Sequence, residues 1–332
     1  MLKRTLFFSS PGRLYLKQSL LAYRQTPGET ETAAEGGSRQ KKKKGSKAGE
    51  GEEETLFPEE RTFPLEDVGL IVLESLRLTV TTACLNALAS ANIALVICDS
   101  SHMPSAMLQA YSGHTLTQRH TEAQLQASAG LKARLWRQTV QAKIRNQAEC
   151  LRRLGLPDSR LRVLSKAVKA GDAGNAEAVA ARYYFQQLST LALRSGNSFL
   201  RDPEGDAPNP ALNYGYAILR AAVARALTGS GLFCAAGIHH SNQYNAFGLA
   251  DDVMEPFRAF VDETVFSSLE TFSVPELGKE QKADLLRLLA ADVQTGGEKR
   301  PLLNSITLAT ASLVRCFLGE EKAVRYPEFV RE

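Results

Sequence analysis

The stretch Ile93-Ala-Leu-Val-Ile-Cys-Asp-Ser-Ser-His-Met-Pro104 separates two kinds of sequence in this chain of 332 residues. Its first six residues are apolar, which predicts a strand buried on both faces, and the Asp-Ser-Ser that follows predicts a turn. Before the stretch, short apolar runs alternate with turns; after it, apolar residues recur at helical spacing. We therefore predict an α+β fold, with a small β-rich N-terminal domain (residues 1–103) followed by a larger all-α domain (residues 104–332).

The N-terminal part contains a second run that is apolar throughout, Val68–Leu73, which predicts another buried strand. Before this run, residues 26–55 are rich in Gly, Ser, Glu and Lys and hold almost no apolar side chain. This composition predicts a disordered insertion, although the four lysines at positions 41–44 could also contact DNA. The other elements predicted here are strands at residues 4–9, 13–17, 20–24 and 77–81 and a helix at residues 83–91.

The C-terminal part is predicted to be helical, with an uneven distribution of charge. Residues 131–170 hold 11 Lys or Arg and two acids, whereas residues 240–298 hold four basic residues and 11 acidic ones. This pattern suits a protein that binds a polyanion beside a metal site, but two ordinary solvated helix faces would give the same counts. The predicted helices lie at residues 121–128, 132–154, 160–169, 176–194, 211–227, 249–267, 279–292 and 303–318.

The sequence also argues against several classes of protein. It has no run of about 18 apolar residues, so we expect no membrane span. Its five cysteines form no CxxC pair and lie mostly among apolar neighbours, as buried thiols do in a reducing cytoplasm, and we expect a cytoplasmic location. Neither GxxxxGK[ST] nor GxGxxG occurs, which disfavours nucleotide-driven and Rossmann chemistry.

A first candidate for chemistry is Glu177, near the start of a helix that Asp172 or Asn175 can cap. Arg182 follows five residues later and projects about 140° round the helix from Glu177. Taken alone, Glu177 could simply be a first-turn acid that offsets the helix dipole.

Two further candidates lie closer to the C-terminus. The pair His239-His240 is followed by polar amides, an uncommon pattern in a core, although a His pair is more often hydrogen-bonded structure than a metal ligand. Asp252 and Glu255 are three residues apart and share a helix face, where they repel each other unless a cation lies between them. An acidic, solvated first turn is the alternative interpretation.

Together these segments supply one imidazole and two or three carboxylates from separate helices. Carboxylates and waters suit Mg²⁺ or Mn²⁺, and a single imidazole favours Mn²⁺. Such a site would assist phosphodiester chemistry, because the cation neutralises phosphate charge and positions an attacking oxygen.

Eight short motifs run through the chain: Lys-Arg-Thr-Leu-Phe-Phe at residues 3–8, Pro-Leu-Glu-Asp-Val-Gly at 64–69, Cys-Asp-Ser-Ser-His-Met-Pro at 98–104, Leu-Trp-Arg-Gln at 135–138, Lys-Ile-Arg-Asn-Gln at 143–147, Asn-Ala-Glu-Ala at 175–178, Gly-Ile-His-His at 237–240 and Asp-Asp-Val-Met-Glu-Pro-Phe-Arg at 251–258. In residues and order, the chain resembles the CRISPR-associated integrase family, the nuclease subunit of the spacer-acquisition complex, in its type II form. The resemblance covers nearly the whole chain. The lysine-rich insertion departs from the family's compact hairpin.

The resemblance implies a metal-dependent DNA endonuclease and integrase, in which the 3′-hydroxyl of a captured DNA fragment attacks a phosphodiester at the edge of a CRISPR repeat. It implies Glu177, His240 and Glu255 as the metal-binding and catalytic residues, with Asp252 as the next candidate and His239 as a neighbour that supports the site or faces DNA. It also implies a homodimer through the N-terminal domains. Two such dimers would flank a small ferredoxin-like partner dimer in a heterohexamer.

The basic residues Arg145, Arg152, Arg153 and Arg182 are our candidates for contact with DNA phosphates. Two other functions remain open at the level of sequence. The chain could be a stand-alone metal nuclease that cuts branched DNA repair intermediates without a partner, or a non-catalytic scaffold that bridges DNA.

Overall fold

The structure is a computed structural model that describes residues 3–26, 60–111 and 113–330. Apart from Thr26, the insertion predicted at residues 26–55 lies outside the described residues. The described chain has a β-rich N-terminal part and a helical C-terminal part, which confirms the predicted α+β class. Its strands are β1 (Arg4–Phe8), β2 (Gly12–Lys17), β3 (Leu20–Gln25), β4 (Glu60–Pro64), β5 (Val68–Leu73), β6 (Leu78–Val80), β7 (Ala94–Cys98), β8 (Pro104–Leu108), β9 (Asp292–Thr295) and β10 (Glu298–Pro301).

The first eight strands form two four-stranded sheets. The first sheet has the order β1-β5-β7-β8, with β1, β5 and β7 parallel and β8 antiparallel to β7. The second sheet has the order β4-β3-β2-β6, in which β2, β3 and β4 are antiparallel and β6 pairs with β2 in parallel.

The first sheet separates two hydrophobic cores and contributes side chains to both. Along β5, Ile71 and Leu73 pack towards the second sheet, whereas Leu70 and Val72 pack into the helical part. This double burial explains why β5 and β7 are apolar almost throughout instead of alternating with polar residues. The β-rich and helical parts are therefore joined by a packed interface in addition to the chain connection.

The helical part is arranged around two long helices. Fifteen of the 21 residues of α6 are buried, and α3 packs against α4, α5 and α8. Both helices reach the region of the candidate site. The helices of the whole described chain are α1 (Thr82–Ser90), α2 (Thr117–Leu125), α3 (Ala129–Arg153), α4 (Ser159–Ala167), α5 (Ala176–Arg194), α6 (Asn209–Gly229), α7 (Gly248–Met254), α8 (Arg258–Ser267), α9 (Leu269–Phe272), α10 (Lys279–Arg287) and α11 (Leu302–Phe317).

Four strands were not expected from the sequence. β4 completes the second sheet, and β8, which lies beyond the boundary expected at residues 103–104, extends the first; it begins with Pro104, a residue that edge strands tolerate. β9 and β10 form a hairpin around Gly296 and Gly297, both of which have positive φ (62° and 88°). A Gly-Gly pair is a known hairpin signal, but no element is predicted from the sequence at residues 293–302. The predicted helix 279–292 ends earlier than expected, with α10 at Arg287 and a 3-10 turn at Leu288–Ala290.

The helix predicted at residues 249–267 is interrupted. α7 ends at Met254, a 3-10 turn covers Glu255–Phe257, and α8 begins at Arg258. Pro256 explains the break, because it has no N–H to donate to the preceding turn. Glu255 is therefore the first residue of the 3-10 turn rather than part of α7.

Among the described residues, we find no helix with both the length and the apolar character needed to cross a membrane.

Candidate active site

Glu177 is held at the start of α5 by a loop of unusual backbone conformation. Gly171, Asp172 and Asn175 all have positive φ, between 51° and 62°. The Asp172 carboxylate accepts hydrogen bonds from the backbone N–H groups of Ala176 (2.9 Å) and Glu177 (3.0 Å). Of the two predicted caps, Asp172 therefore supplies the capping side chain. Its bonds fix the backbone from which the Glu177 carboxylate projects.

His240 lies in the loop between α6 and α7, and Asp252 orients it. The His240 Nδ1 atom is 2.5 Å from Asp252 Oδ1, and the Asp252 carboxylate also accepts backbone N–H groups from Ile238 (2.6 Å), His239 (2.8 Å) and His240 (3.2 Å). Asp252 is fully buried, whereas 44% of the His240 side chain is exposed. The hydrogen bond to Asp252 raises the pKa of His240. Nε2 is thus the nitrogen left for a ligand.

This geometry changes the role expected for Asp252. The i, i+3 spacing predicted that Asp252 and Glu255 share a helix face with a cation between them. Instead, four N–H groups surround the Asp252 carboxylate behind His240, while Glu255 turns towards α3. Asp252 is therefore placed to position His240, and its carboxylate is already occupied by these hydrogen bonds. Close packing supports the loop, because a Cβ atom added at Gly237 would lie 2.3 Å from the His240 carbonyl oxygen.

Glu255 is placed by the 3-10 turn and by a contact from α3. The buried Asn146 side chain donates to the carbonyl oxygens of Pro256 (2.7 Å) and Pro327 (3.0 Å), which ties the turn and the C-terminal segment to α3. The same segment is anchored by Phe329, whose ring stacks on Phe260 at 4.2 Å between centroids. These contacts fix the position of Glu255 along the axis of α3.

Lys143 of α3 bridges the two glutamates. Its Nζ atom lies 2.6 Å from Glu177 Oε1 and 2.6 Å from Glu255 Oε2, and only 12% of its side chain is exposed. Burial opposes the charged ammonium, but the carboxylates of Glu255 and Glu177 outweigh it and raise the pKa of Lys143. Arg258 pairs with the other oxygen of Glu255 at 2.9 Å. Although burial acts in the opposite direction, Arg258 and Lys143 lower the pKa of Glu255 to about 2.

The structure brings Glu177, His240 and Glu255 to one place. Lys143 links the two carboxylates, and both carboxylates act electrostatically on His240. Two carboxylates and an imidazole are ligand types that suit Mg²⁺ or Mn²⁺. Glu255 Oε2 is buried and, within the described chain, accepts no hydrogen bond of good geometry, although Lys143 lies close to it. In this structure the Lys143 ammonium lies between the two glutamates, and no three Asp, Glu, His or Cys side chains of the described residues lie close enough together to hold a metal. These side chains can therefore bind a divalent cation only if Lys143 moves.

A cationic cleft opens beside His240 and Glu255. Its volume is about 370 Å³, and Arg201, Arg220 and Arg258 line it. Arg258 lies over the Tyr216 ring at 4.1 Å, Arg201 donates to Asn209 and Asn213, and Arg220 pairs with Asp251 at 2.7 Å. The sequence-based reasoning missed these residues. For Arg220, the available signal was the spacing of Asn213, Tyr216, Ala217 and Arg220, which places these four residues on one face of α6.

A buried network supports the floor of this cleft. Asp262 of α8 accepts hydrogen bonds from Tyr184 (2.9 Å) and from Tyr216, and all three side chains are buried. Burial raises the pKa of Asp262. Burial also raises the pKa of both tyrosines, so their hydroxyls stay protonated as donors. The network fixes the ring on which Arg258 rests.

The predicted DNA-binding arginines lie elsewhere. On α3, Arg145 and Arg152 project about 200° and 180° from Lys143, towards the opposite face. Arg145 pairs with Glu328 at 3.6 Å and Arg152 with Glu149 at 2.7 Å. Arg153 donates to the carbonyl oxygen of Val330 at 2.6 Å and lies 5.0 Å from the Phe329 ring, so it serves the C-terminal segment. Arg182 is exposed on α5.

His239 and His240 have different surroundings. The His239 ring stacks on Trp136, with the centroids 4.3 Å apart and the planes 3° from parallel. His240 meets the same indole at its edge, 5.7 Å away. His239 therefore borders the site through Trp136, beside His240.

The sequence matches a known protein family and its members. The family model described as "CRISPR associated protein Cas1" matches residues 48–289. The chain is 41% identical over 214 residues to a CRISPR-associated endonuclease Cas1 from Neisseria meningitidis serogroup C (strain 8013), which is 64% of this chain and 68% of the relative.

Two solved structures have the same fold. A casposase bound to an integration product matches with a TM-score of 0.74 at 19% identity, over 98% of this chain and 92% of that one. A Cas6-RT-Cas1–Cas2 complex matches with a TM-score of 0.67 at 16% identity, over 96% of this chain and 35% of that much longer one.

Proposed function

Since the chain belongs to the Cas1 family of CRISPR-associated proteins, we propose that it is a metal-dependent DNA endonuclease and integrase that inserts captured DNA fragments into a CRISPR repeat array. The reaction is a transesterification. The 3′-hydroxyl of the fragment forms a new P–O bond at the edge of the repeat, and the P–O bond to the repeat's own 3′-oxygen breaks. The observation that carries the proposal is the meeting of Glu177, His240 and Glu255 beside a cleft lined by arginines.

Glu177, Glu255 and Nε2 of His240 would hold Mg²⁺ or Mn²⁺. When bound, the cation would neutralise phosphate charge and orient the attacking hydroxyl. The chain's own groups contribute the rest. Asp252 keeps the His240 ring in one orientation, and Arg258 keeps Glu255 ionised while resting on Tyr216. Because these contacts hold His240 and Glu255 in place, the two side chains need little rearrangement as charge develops on the phosphoryl oxygens.

We place the path of the DNA phosphates along Arg201 and Arg220 rather than along the arginines of α3 that the sequence suggested. Each phosphate neutralised by the protein contributes about −0.9 to the slope of log affinity against log salt for duplex DNA. The double variant Arg201→Ala/Arg220→Ala should therefore make that slope shallower by about 1 to 2. The matched control Arg145→Ala/Arg152→Ala should leave it unchanged. The reverse result would return the DNA path to the outer face of α3.

The proposed assembly is a homodimer through the N-terminal part, with two dimers flanking a small ferredoxin-like partner. The likeness in fold to a chain of a Cas6-RT-Cas1–Cas2 complex supports a Cas2-type partner subunit. In this proposal, the β-rich residues 1–103 serve dimerisation and residues 104–332 carry catalysis, with β8 contributing to the first sheet.

Integration of a labelled duplex into a repeat-bearing plasmid tests the function. Full-length protein with its small partner subunit should join the 3′ ends to the repeat edges in Mn²⁺, and Glu177→Gln and His240→Ala should not. Cutting of branched DNA without the partner, with no strand transfer, would favour the stand-alone nuclease. Wild-type activity in both variants would remove these residues from the site, and DNA bridging without any chemistry would favour the scaffold.

A further inference from the structure

Lys143 is the most buried cation beside the proposed metal ligands, and the proposed function leaves it without a role. It lies on α3 between the buried residues Ala142 and Ile144, so the helix cannot rotate to withdraw it. Its ammonium touches one oxygen of Glu177 and one of Glu255, each at 2.6 Å. These are two of the carboxylate oxygens that a divalent cation would need.

Two carboxylates held this close, one of them with only 8% of its side chain exposed, require a positive charge between them. In this structure the chain supplies that charge itself. A divalent cation that bridges these two oxygens from the same side, at about 2.1 Å from each for Mg²⁺, would occupy the space that the ammonium now fills and would be repelled by it. Binding of the metal therefore has to move the Lys143 ammonium.

The flexible side chain of lysine allows that movement. Its four-carbon stem can swing while α3 stays fixed, and Arg258 remains to neutralise the other side of Glu255. The cleft lined by Arg201, Arg220 and Arg258 lies next to Glu255, and it is the place where we put the DNA phosphates. Asp251 also lines this cleft but is paired with Arg220, so a DNA phosphate would supply a further anion for the displaced ammonium.

We propose that Lys143 is an internal counter-ion that competes with the divalent cation for Glu177 and Glu255 and thereby couples metal binding to DNA binding. This inference rests on the proposed function. Metal binds weakly while the ammonium holds the carboxylates, and DNA, by accepting the displaced ammonium on a phosphate, strengthens metal binding. Because binding linkage is reciprocal, metal strengthens DNA binding by the same factor. Lys143 acts through the glutamates and is a positioning residue.

The test measures Mn²⁺ affinity by the electron paramagnetic resonance signal of free Mn²⁺, with and without a non-cleavable duplex. Lys143→Met keeps the length of the side chain and removes its charge. Without DNA, it should bind Mn²⁺ about tenfold more tightly than wild type, and the duplex should no longer tighten binding. Lys143→Arg keeps the charge and should retain weak binding with coupling to DNA. Lys166→Met, on the exposed surface of α4, should behave as wild type.

Melting curves give a second measurement that does not depend on activity. In EDTA, Lys143→Met should melt below wild type, because Glu177 and Glu255 lose their shared cation, and Mn²⁺ should raise its melting temperature by more than it raises that of wild type. Unchanged or weaker Mn²⁺ affinity in Lys143→Met, or DNA coupling equal to that of wild type, would overturn the inference. If wild type itself binds no Mn²⁺ and Glu255→Gln changes nothing, the metal site of the proposed function fails instead.

Discussion

Replacing Glu255 by Gln should reveal the strength of its two ion pairs as a pH-dependent loss of stability. Gln keeps the size and hydrogen-bonding atoms of the side chain but cannot carry the charge that faces Lys143 and Arg258. The pKa of Glu255 falls from 4.5 to about 2 in the folded protein. A shift of about 2.5 units corresponds to about 3 kcal/mol of unfolding free energy.

The sign of the effect follows from the direction of the shift. Because folding lowers the pKa of Glu255, its contribution is complete above the unfolded value of 4.5 and is lost as the pH falls towards 2. The unfolding free energy of wild type should exceed that of Glu255→Gln by about 3 kcal/mol at pH 7 and pH 5, and by roughly half as much at pH 3.

Urea unfolding at pH 7, 5, 4 and 3 in EDTA measures this difference without any metal. The matched control is Glu320→Gln, since Glu320 is half exposed and faces Arg119 only at 3.8 Å; it should change stability by less than about 0.5 kcal/mol at every pH. A Glu255→Gln difference that stays constant down to pH 3, or that is absent at pH 7, would refute the reasoning. The same cost means that Glu255→Ala, which also removes the hydrogen-bonding atoms, should not leave the fold undisturbed.

Three further predictions concern two positions that support the site and one buried ion pair, which joins α10 to the residue after β5. Gly237→Ala should lower the free energy of unfolding by about 1–3 kcal/mol and abolish metal-dependent cleavage, because the added Cβ atom collides with the His240 loop. The control Gly130→Ala, for which α3 leaves open space, should be neutral or slightly stabilising in thermal melts. Asp172→Ala should cost about 1 kcal/mol in urea unfolding and reduce integration as well, since the cap also places the first turn of α5. Lys282→Met should cost about 3–5 kcal/mol in urea unfolding, because it removes the buried cation that pairs with Glu74 and leaves the exposed His102, 3.5 Å away, beside that carboxylate; a loss below about 1 kcal/mol would show that water or His102 compensates the charge of Glu74.

Much of the fold could be predicted because its pattern is local. The apolar runs of β5 and β7 and the helical spacing of α3, α5, α6 and α11 all lie where periodicity indicates them. The strands that escaped prediction are short, and their pairing depends on a neighbour far along the chain. β8 carries no β-branched side chain and exists as a strand because β7 offers it an edge.

The candidate site was predictable only in part, for a similar reason. Residue type and motif order pointed to Glu177, His240 and Glu255, and the structure places them together. Charge counted along the sequence does not distinguish basic residues near the site from those on other faces, because a helix distributes neighbouring basic residues over all its faces. α3 sends Lys143 into the site and Arg145 away from it, and no count over residues 131–170 separates the two.

The contact between Asn146 and the C-terminal segment has a consequence for how the protein matures during translation. Pro327 and Phe329, which hold α3 against the turn of Glu255, are made about 70 residues after Glu255 itself. At about 5–20 residues per second, the ribosome completes the acidic and imidazole groups some 4–15 seconds before the residues that clamp them. A nascent chain therefore contains every side chain of the site before the segment at Pro327 and Phe329 can hold those side chains in place. Its nuclease chemistry should begin only after that segment has left the exit tunnel.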